Sequence, residues 1–243
     1  MSTIKDQAVI LRRIDFSETS QVLALFTRQS GKVRVIAKGV KRSTRTRFAP
    51  AVDLLDIGEA VIAGRYRDRD RLAVLTEWTP TLPLTGLRND LVRLYAGQYL
   101  AALTAELTED GDPHPGLFDA LCVGLTDLSR GQPPLGVVVR FQHSLLVAVG
   151  SMPDFTRCVG CRGAVPPTGD VYFSSFEGGL LCRDCEAARS EKYLIHSAGR
   201  SLLAGDRGSD SGERVALAVL DYHLAHLMGR RLPLGRTLLE LAR

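Results

Sequence analysis

Four of the five cysteines in the chain form two C-x-x-C pairs, Cys158 with Cys161 and Cys182 with Cys185. Structural Zn²⁺ is held by four ligands at the corners of a tetrahedron, and a C-x-x-C turn supplies two thiolates along one edge. Two such pairs about twenty residues apart are therefore a strong signature of a zinc site. Because four protein ligands leave no position for water, we expect one structural zinc ion, not a catalytic one.

The segment between the pairs predicts a β-hairpin. Residues 171–173 form a short apolar run, Gly178 and Gly179 are a turn signal, and residues 180–181 lead into the second pair. We expect Gly160 and Gly163 to serve the tight turns of the site, because glycine tolerates positive φ. The alternatives are two disulfides or a redox C-x-x-C. Zinc is favoured over both, since the chain shows neither a secretory signal nor a thioredoxin-like βαβ pattern.

Composition places the chain among ordinary globular proteins and excludes several other classes. Its 243 residues are 45% hydrophobic and 24% charged, which suffices for two domains and a small insert. The first seven residues lack the apolar stretch of a signal peptide, and the apolar runs end well short of the ~20 residues that cross a bilayer. The unpaired Cys122 lies in an apolar setting. We therefore expect a protein of the reducing cytoplasm with no membrane partner.

The net charge of +4 is unevenly distributed. Residues 1–80 carry fifteen Lys and Arg against nine Asp and Glu, whereas the remainder carries sixteen against eighteen. The stretch 28–47 has eight basic residues and no acidic one. Such an asymmetry indicates a polyanionic partner for the N-terminal region, although a solvated surface is the simpler alternative for a run of charge.

The basic region also shows the pattern of a small β-domain. Short apolar or alternating runs, with Gly58 as a possible bulge in the fourth, predict five strands. The runs cover residues 8–11, 22–26, 33–37, 52–62 and 72–75. Five strands in about eighty residues favour an OB-fold-like β-barrel, a fold that binds oligonucleotides. An SH3-like barrel is the rival, and strand counting does not separate the two.

Placed on this barrel, the basic stretch predicts a phosphate-binding face. Its candidate nucleic-acid-binding residues are Lys32, Arg34, Lys38, Lys41, Arg42, Arg45 and Arg47. The first three alternate along strand three and so share a face. We expect Arg12 and Arg13 on strand one to matter less and to face elsewhere. Aromatic candidates for base stacking are Phe26, Phe48 and Tyr66, although Phe26 fits a core position better.

Helical periodicity begins after a proline-containing linker at 79–84. The predicted helices cover residues 90–109, 117–128, 135–149, 197–204, 213–228 and 237–242. The many valines of the third leave a strand possible, but its length and neighbours favour a helix. The expected organisation is a barrel at 1–80, a helical domain at 81–154 and 189–243, and a zinc module inserted at 155–188.

Motifs for catalysis are missing from the chain. We find no phosphate-binding P-loop, no H-E-x-x-H and no G-x-S-x-G. His223 and His226 share a helix face and could bind a metal, but on an apolar helix a core role is simpler. The histidine–glutamate motif of a zinc deaminase is also missing, which disfavours a zinc-dependent nucleotide-modifying enzyme. We therefore predict a binding protein with no enzymatic activity.

Three further features accompany the cysteine pairs: Phe173-Ser174 before Gly-Gly-Leu-Leu-Cys, Ala-Lys-Gly-Val-Lys at 37–41, and an opening strand followed by residues 17–20 and 23–27. On these features the chain resembles the RecO family of bacterial recombination mediators. The resemblance implies an N-terminal OB-fold, a helical domain with a zinc insert, and association with the nucleoid. It also implies binding of single- and double-stranded DNA, strand annealing, recombinase loading with RecR, and no hydrolytic chemistry.

A further partner implied by the resemblance is the acidic tail of single-strand DNA-binding protein. Arg230 and Arg231, followed by Leu232 and Leu234, would suit such a peptide. The alternative is a basic helix C-terminus favoured by the helix dipole. For the whole chain, the alternative reading is a zinc-stabilised RNA-binding or ribosome-associated module, since OB-folds also serve RNA.

Overall fold

The computed structural model describes residues 3–40, 52–64, 72–166, 169–203 and 210–241. It divides into two compact units, Met1–Gly131 and Gln132–Arg243. Among the described residues, the first unit holds five strands and three helices, and the second holds the cysteine pairs, four further strands and the remaining helices.

The first unit is built on a closed five-stranded barrel in the order β1-β2-β3-β5-β4. β1 pairs antiparallel with both β2 and β4, and β3 pairs parallel with β5. Every second residue of β3 is buried, so the alternation seen in the sequence separates a core face from an outer face. The predicted OB-fold-like barrel is confirmed. Its strands are β1 (Thr3–Asp15), β2 (Gln21–Thr27), β3 (Gly31–Ala37), β4 (Ile57–Ala63) and β5 (Ala73–Leu82).

The prediction of a linker at 79–84 is wrong, because β5 continues through Pro80 to Leu82. Pro80 lies opposite Gly58 at a shift of register between β4 and β5. Proline is tolerated at such a bulge, where a ladder hydrogen bond is already interrupted. A Cβ at Gly58 would lie 2.6 Å from the Thr79 carbonyl oxygen, so the expected bulge position requires glycine. The fourth predicted strand, at 52–62, begins too early, because β4 begins at Ile57.

Three helices complete the first unit: α1 (Thr85–Arg88), α2 (Leu91–Leu107) and α3 (Pro115–Ser129). Asp90 caps α2, and its carboxylate accepts the N–H of Arg93 at 2.9 Å. The proline at the start of α3 occupies the first helical position, where its missing N–H has no cost.

The second unit combines helices with a small sheet. Residues 134–148 are helical, which confirms the choice of helix over strand for this valine-rich run. The sheet has the order β6-β8-β7-β9, and β7 and β8 form the predicted hairpin. Its elements are α4 (Pro134–Ala148), β6 (Asp154–Cys158), β7 (Val171–Ser174), β8 (Gly179–Leu181), α5 (Arg183–Glu186), β9 (Tyr193–Ile195), α6 (Ser197–Leu203), α7 (Asp210–Met228) and α8 (Pro233–Leu241). Across the described ranges, none of the helices has the length and apolarity needed to span a membrane.

Candidate metal centre and nucleic-acid interface

The sheet of the second unit brings the two cysteine pairs together. β6 runs parallel to β8, and Cys158 pairs with Leu180. The turn that follows β6 and the start of α5, which follows β8, therefore lie at the same end of the sheet. All four sulfur atoms, of Cys158, Cys161, Cys182 and Cys185, lie within 4.8 Å of one another.

The spacing of the sulfurs suits a tetrahedral metal. Zn–S bonds of about 2.3 Å place the ligands of a tetrahedron about 3.8 Å apart. The Sγ atoms of Cys161 and Cys182 are 3.7 Å apart, and all four cysteines are free thiols. The geometry therefore fits one metal ion held by four thiolates.

The glycines of the centre provide space, not an unusual φ. A Cβ at Gly160 would lie 3.1 Å from the Cys185 sulfur, and one at Gly163 would lie 3.3 Å from the Cys161 sulfur. Positive φ occurs instead at Arg162, at 61°. The expectation that these two glycines are needed for positive φ is therefore wrong; they let the backbone approach the sulfurs closely.

The local backbone prepares one cysteine to be a thiolate. Burial opposes ionisation of Cys158, but the N–H groups of Cys182, Cys161 and Gly160 outweigh it and lower its pKa to about 6. Hydrogen bonds with Cys182 and Cys158 raise the pKa of Cys185 to about 12. A cation is what would allow all four sulfurs to be ionised at neutral pH, because it neutralises their mutual repulsion.

A carboxylate that the sequence analysis missed holds the hairpin to the last strand of the sheet and to α7. Glu191 accepts hydrogen bonds from the Ser174 hydroxyl at 2.6 Å and from the backbone N–H groups of Ser175 and Phe176, both at 3.1 Å. The Tyr222 hydroxyl on α7 donates to it as well. A lone glutamate between elements carries no recognisable sequence signal, since its function depends on folded neighbours.

His223 and His226 do not form a metal site. Both ring nitrogens of the buried His223 are bound, Nδ1 to the Ser175 hydroxyl at 2.7 Å and Nε2 to the Ser151 carbonyl at 3.0 Å. Burial lowers the pKa of His223, so the neutral ring is favoured. His226 is exposed and bonds the Tyr222 carbonyl at 2.9 Å. The simpler expectation of a core role for His223 is confirmed.

On the barrel, a row of outer-face residues crosses three strands. Arg12 of β1 lies opposite Ala24 of β2, which lies opposite Arg34 of β3. Residues opposite each other share a face, and neighbouring strands are about 4.8 Å apart, so the two arginines lie roughly 10 Å apart on one surface. The expectation that Arg12 faces elsewhere is therefore wrong. Arg13 does differ, because it contacts the Asp53 carboxylate at 2.9 Å.

The next row of the same face is apolar and partly exposed. Ile14, Val22, Ile36 and Val74 lie opposite one another across β1, β2, β3 and β5. Ile14 is 54% exposed, and Phe16 just beyond it is 64% exposed. An exposed aromatic ring is suited to base stacking, and sequence reasoning missed Phe16. Its only signal was the alternation with polar residues of Ile14, near the end of β1, and Phe16, just beyond it.

Lys32 has a different environment from the other basic candidates. Its ammonium group donates to the carbonyl oxygens of Ala105 and Thr108, each at 2.6 Å, and lies 3.6 Å from the Asp110 carboxylate. Arg34 contacts the same carboxylate at 3.2 Å. Lys38 is exposed just after β3 and, within the described ranges, has no carboxylate partner. The structure thus brings Arg12, Arg34 and Lys38 to the surface and turns Lys32 toward the end of α2.

Some of the other predicted site residues lie outside the described ranges, and the structure gives the positions of the rest. Lys41, Arg42, Arg45, Arg47, Phe48 and Tyr66 lie outside the described residues. Phe26 is fully buried and packs on Phe118 with ring centroids 6.2 Å apart, so it is a core residue and not a stacking platform. Arg230 and Arg231 are exposed after α7, and Arg231 lies 3.6 Å from the Asp221 carboxylate.

The described part of the chain thus combines an OB-fold-like closed barrel with a second unit that carries a four-cysteine centre. Comparison with known families gives two matches. The model described as "Recombination protein O N terminal" matches residues 1–83, and that described as "Recombination protein O C terminal" matches residues 88–233. The chain therefore belongs to the RecO family.

Two curated relatives agree over nearly the full length, and a third over a smaller part of the chain. A protein of Anaeromyxobacter sp. (strain K), named DNA repair protein RecO, is 32% identical over 99% of this chain and 98% of its own. A protein of the same name from Myxococcus xanthus is 30% identical over 96% and 95%. That of Bacillus subtilis is 28% identical over 74% and 68%.

Proposed function

We propose that this protein is a DNA-binding recombination mediator in DNA repair. It binds single- and double-stranded DNA, promotes annealing of complementary strands and, together with RecR, loads recombinase onto DNA. The observation that carries the proposal is the outer face of the barrel, where Arg12 and Arg34 lie in one cross-strand row and Lys38 and Phe16 are exposed just past the ends of β3 and β1. Family membership supports the same role.

Such a surface can promote annealing without nucleotide hydrolysis. Two strands approach each other against phosphate repulsion, and cationic side chains reduce that repulsion. Stacking on an aromatic ring holds bases without reading their sequence. Base pairing itself supplies the free energy, so the protein needs no catalytic group, and we propose that it has no enzymatic activity.

In the second unit we propose one structural Zn²⁺, with Cys158, Cys161, Cys182 and Cys185 as its ligands. The bound metal would supply no reaction chemistry and would fix the turns of the small sheet. For the partners, we propose RecR and the acidic tail of single-strand DNA-binding protein, the latter at Arg230 and Arg231. We place the protein in the cytoplasm, at the nucleoid.

The deciding experiment is a fluorescence annealing assay with complementary oligonucleotides and no ATP. We expect the protein to accelerate annealing of DNA strands. A parallel titration with RNA of equal length and sequence tests the alternative, a zinc-stabilised RNA-binding module. Clear preference for RNA, with no acceleration of DNA annealing, would reject the proposed function.

A further inference from the structure

A cavity of about 510 Å³ lies beside the cysteine centre in the second unit. Cys182 lines one part of it, and the buried apolar side chains of Val171 and Leu181 line another. Arg200 on α6 lines it as well. Neither the metal centre nor the barrel surface accounts for a space of this size with an arginine in its wall.

Arg200 is largely buried and has no anionic partner among the described residues. Only 9% of the residue is exposed, and its one acceptor among the described residues is the Val165 carbonyl at 3.4 Å. Burial lowers the pKa of Arg200, and no carboxylate opposes that effect. A guanidinium has five N–H donors, and burying such a charge without a counter-ion is costly. The cavity wall therefore contains a buried cation that has no counter-ion among the described residues.

The two carboxylates of the cavity wall do not fill that role, because each already has a partner of its own. Asp170 lies 3.2 Å from the Nδ1 atom of His196. Glu186 is paired with Lys192, whose ammonium also donates to the Glu186 carbonyl oxygen at 3.0 Å. Both carboxylates nevertheless shape the choice of ligand, since they leave the cavity with mixed charge.

We propose that this cavity binds a carboxylate carried on a compact apolar group. A guanidinium can hold a carboxylate through two parallel hydrogen bonds, and Val171 and Leu181 would cover the apolar body. The volume lies in the range of small-ligand pockets. Either a free small acid or the last residue of a peptide has this chemistry.

The observations favour such a ligand over the DNA backbone. The carboxylates of Asp170 and Glu186 would repel a polyanion, which prefers a surface of uniformly positive charge. The deep burial of Arg200 means that a terminal group can reach it more readily than a continuous chain of phosphates can. The site is thus independent of the DNA-binding surface proposed above.

The test is calorimetric titration of the zinc-loaded, full-length protein with N-acetyl-L-leucine and with its carboxamide. We expect the acid to bind and the amide to bind at least about tenfold more weakly, because the amide loses the charge-assisted pair. Arg200→Met keeps the aliphatic stem and should weaken binding of the acid about tenfold or more. Arg157→Met is the matched control: it removes an exposed arginine of the same sheet outside the cavity wall and should change nothing.

A hexapeptide ending in leucine distinguishes the two sources of the carboxylate. Tighter binding than N-acetyl-L-leucine identifies a peptide end, and equal or weaker binding identifies a small acid. The proposal is overturned if acid and amide bind alike, if neither binds, or if Arg200→Met leaves binding of the acid unchanged. Should Arg200→Met lose zinc or its folded circular dichroism, the acid–amide comparison on the unaltered protein decides alone.

Discussion

The ammonium nitrogen of Lys32 lies 2.6 Å from the carbonyl oxygen of Thr108, so a β3 side chain binds the C-terminal end of α2. The last carbonyls of a helix have no partner within the helix, and a cation there also complements the helix dipole. Only 16% of the Lys32 side chain is exposed. A residue predicted from charge to hold DNA therefore has a structural function inside the first unit.

This arrangement predicts that Lys32 affects stability more than DNA affinity. Lys32→Met should lower the free energy of unfolding by about 1–3 kcal/mol, because two carbonyls lose a charged donor. Its single-strand affinity should fall less than that of Arg12→Ala. Urea unfolding and fluorescence anisotropy measure the two effects. A stable variant with a large loss of affinity would show that Lys32 binds phosphate after all.

The outer face predicts a salt-dependent, sequence-independent contact with single strands. With about four phosphates neutralised, log K should fall against log salt with a slope near −3, at ~0.7 per contact. The triple variant Arg12→Ala, Arg34→Ala and Lys38→Ala should reduce that slope by up to about 2, equally for all sequences. Lys5→Ala is the control, because Lys5 lies at the other end of β1 and pairs with Glu59. An unchanged slope in the triple variant would move the DNA surface elsewhere.

The cysteine centre predicts one zinc per chain. Cys182→Ser should lose the metal and loosen residues 155–190 while the barrel stays folded, because structural zinc contributes directly to folding free energy. Elemental analysis and hydrogen exchange check both parts. Protein purified without chelators that contains no zinc would contradict the assignment. Cys122→Ser is the control: Cys122 lies on α3, and burial raises its pKa to about 12, so it should remain an inert thiol.

Glu191 predicts a pH dependence of stability in the second unit. Burial opposes ionisation of Glu191, but the hydrogen bonds from Ser174 and Tyr222 and from two backbone N–H groups lower its pKa overall. A carboxyl with a lowered folded pKa contributes stability above its unfolded pKa of about 4.3 and loses it as pH falls through the folded value. Glu191→Gln should reduce the change of the melting temperature with pH between about pH 5 and about pH 3. An identical pH profile in the variant would contradict this function.

Arg230 and Arg231 predict a peptide contact that is separable from DNA binding. Changing both to glutamate should weaken binding of an acidic, aromatic-ended peptide while leaving DNA affinity nearly intact, because the charge of the site is reversed. Peptide anisotropy measures the first effect and oligonucleotide anisotropy the second. Arg236→Glu on α8, an exposed arginine paired with Glu240, is the matched control. Equal peptide affinity before and after the double change would remove this site from the proposal.

Periodicity and spacing predicted those elements of the fold that depend only on the chemistry of residues close together in the chain. The cysteine pairs and the Gly178 turn follow from local chemistry, so both were found in sequence. The continuation of β5 through Pro80 was not found, because tolerance of proline there depends on the facing Gly58. Charge alone likewise grouped Lys32 with Arg34, whereas the fold gives them different neighbours.

The parts of the site that escaped prediction depend on long-range pairing. Arg12 joins Arg34 only because β1 and β3 both flank β2 in a particular register, which a list of strands does not contain. Glu191 acts on a turn fifteen to seventeen residues earlier in the chain. Arg200 becomes notable only through what does not pair with it among the described residues.

The contact between Arg34 and Asp110 gives the Arg34 guanidinium a counter-ion within the protein itself. A phosphate that reaches Arg34 must exchange places with this carboxylate, so the gain in free energy is a difference between two ion pairs and not a whole one. We therefore expect binding of phosphate at that position to be weak and readily reversed. For the strand annealing proposed above, an arginine that is already paired with a carboxylate favours turnover of the bound DNA over its retention.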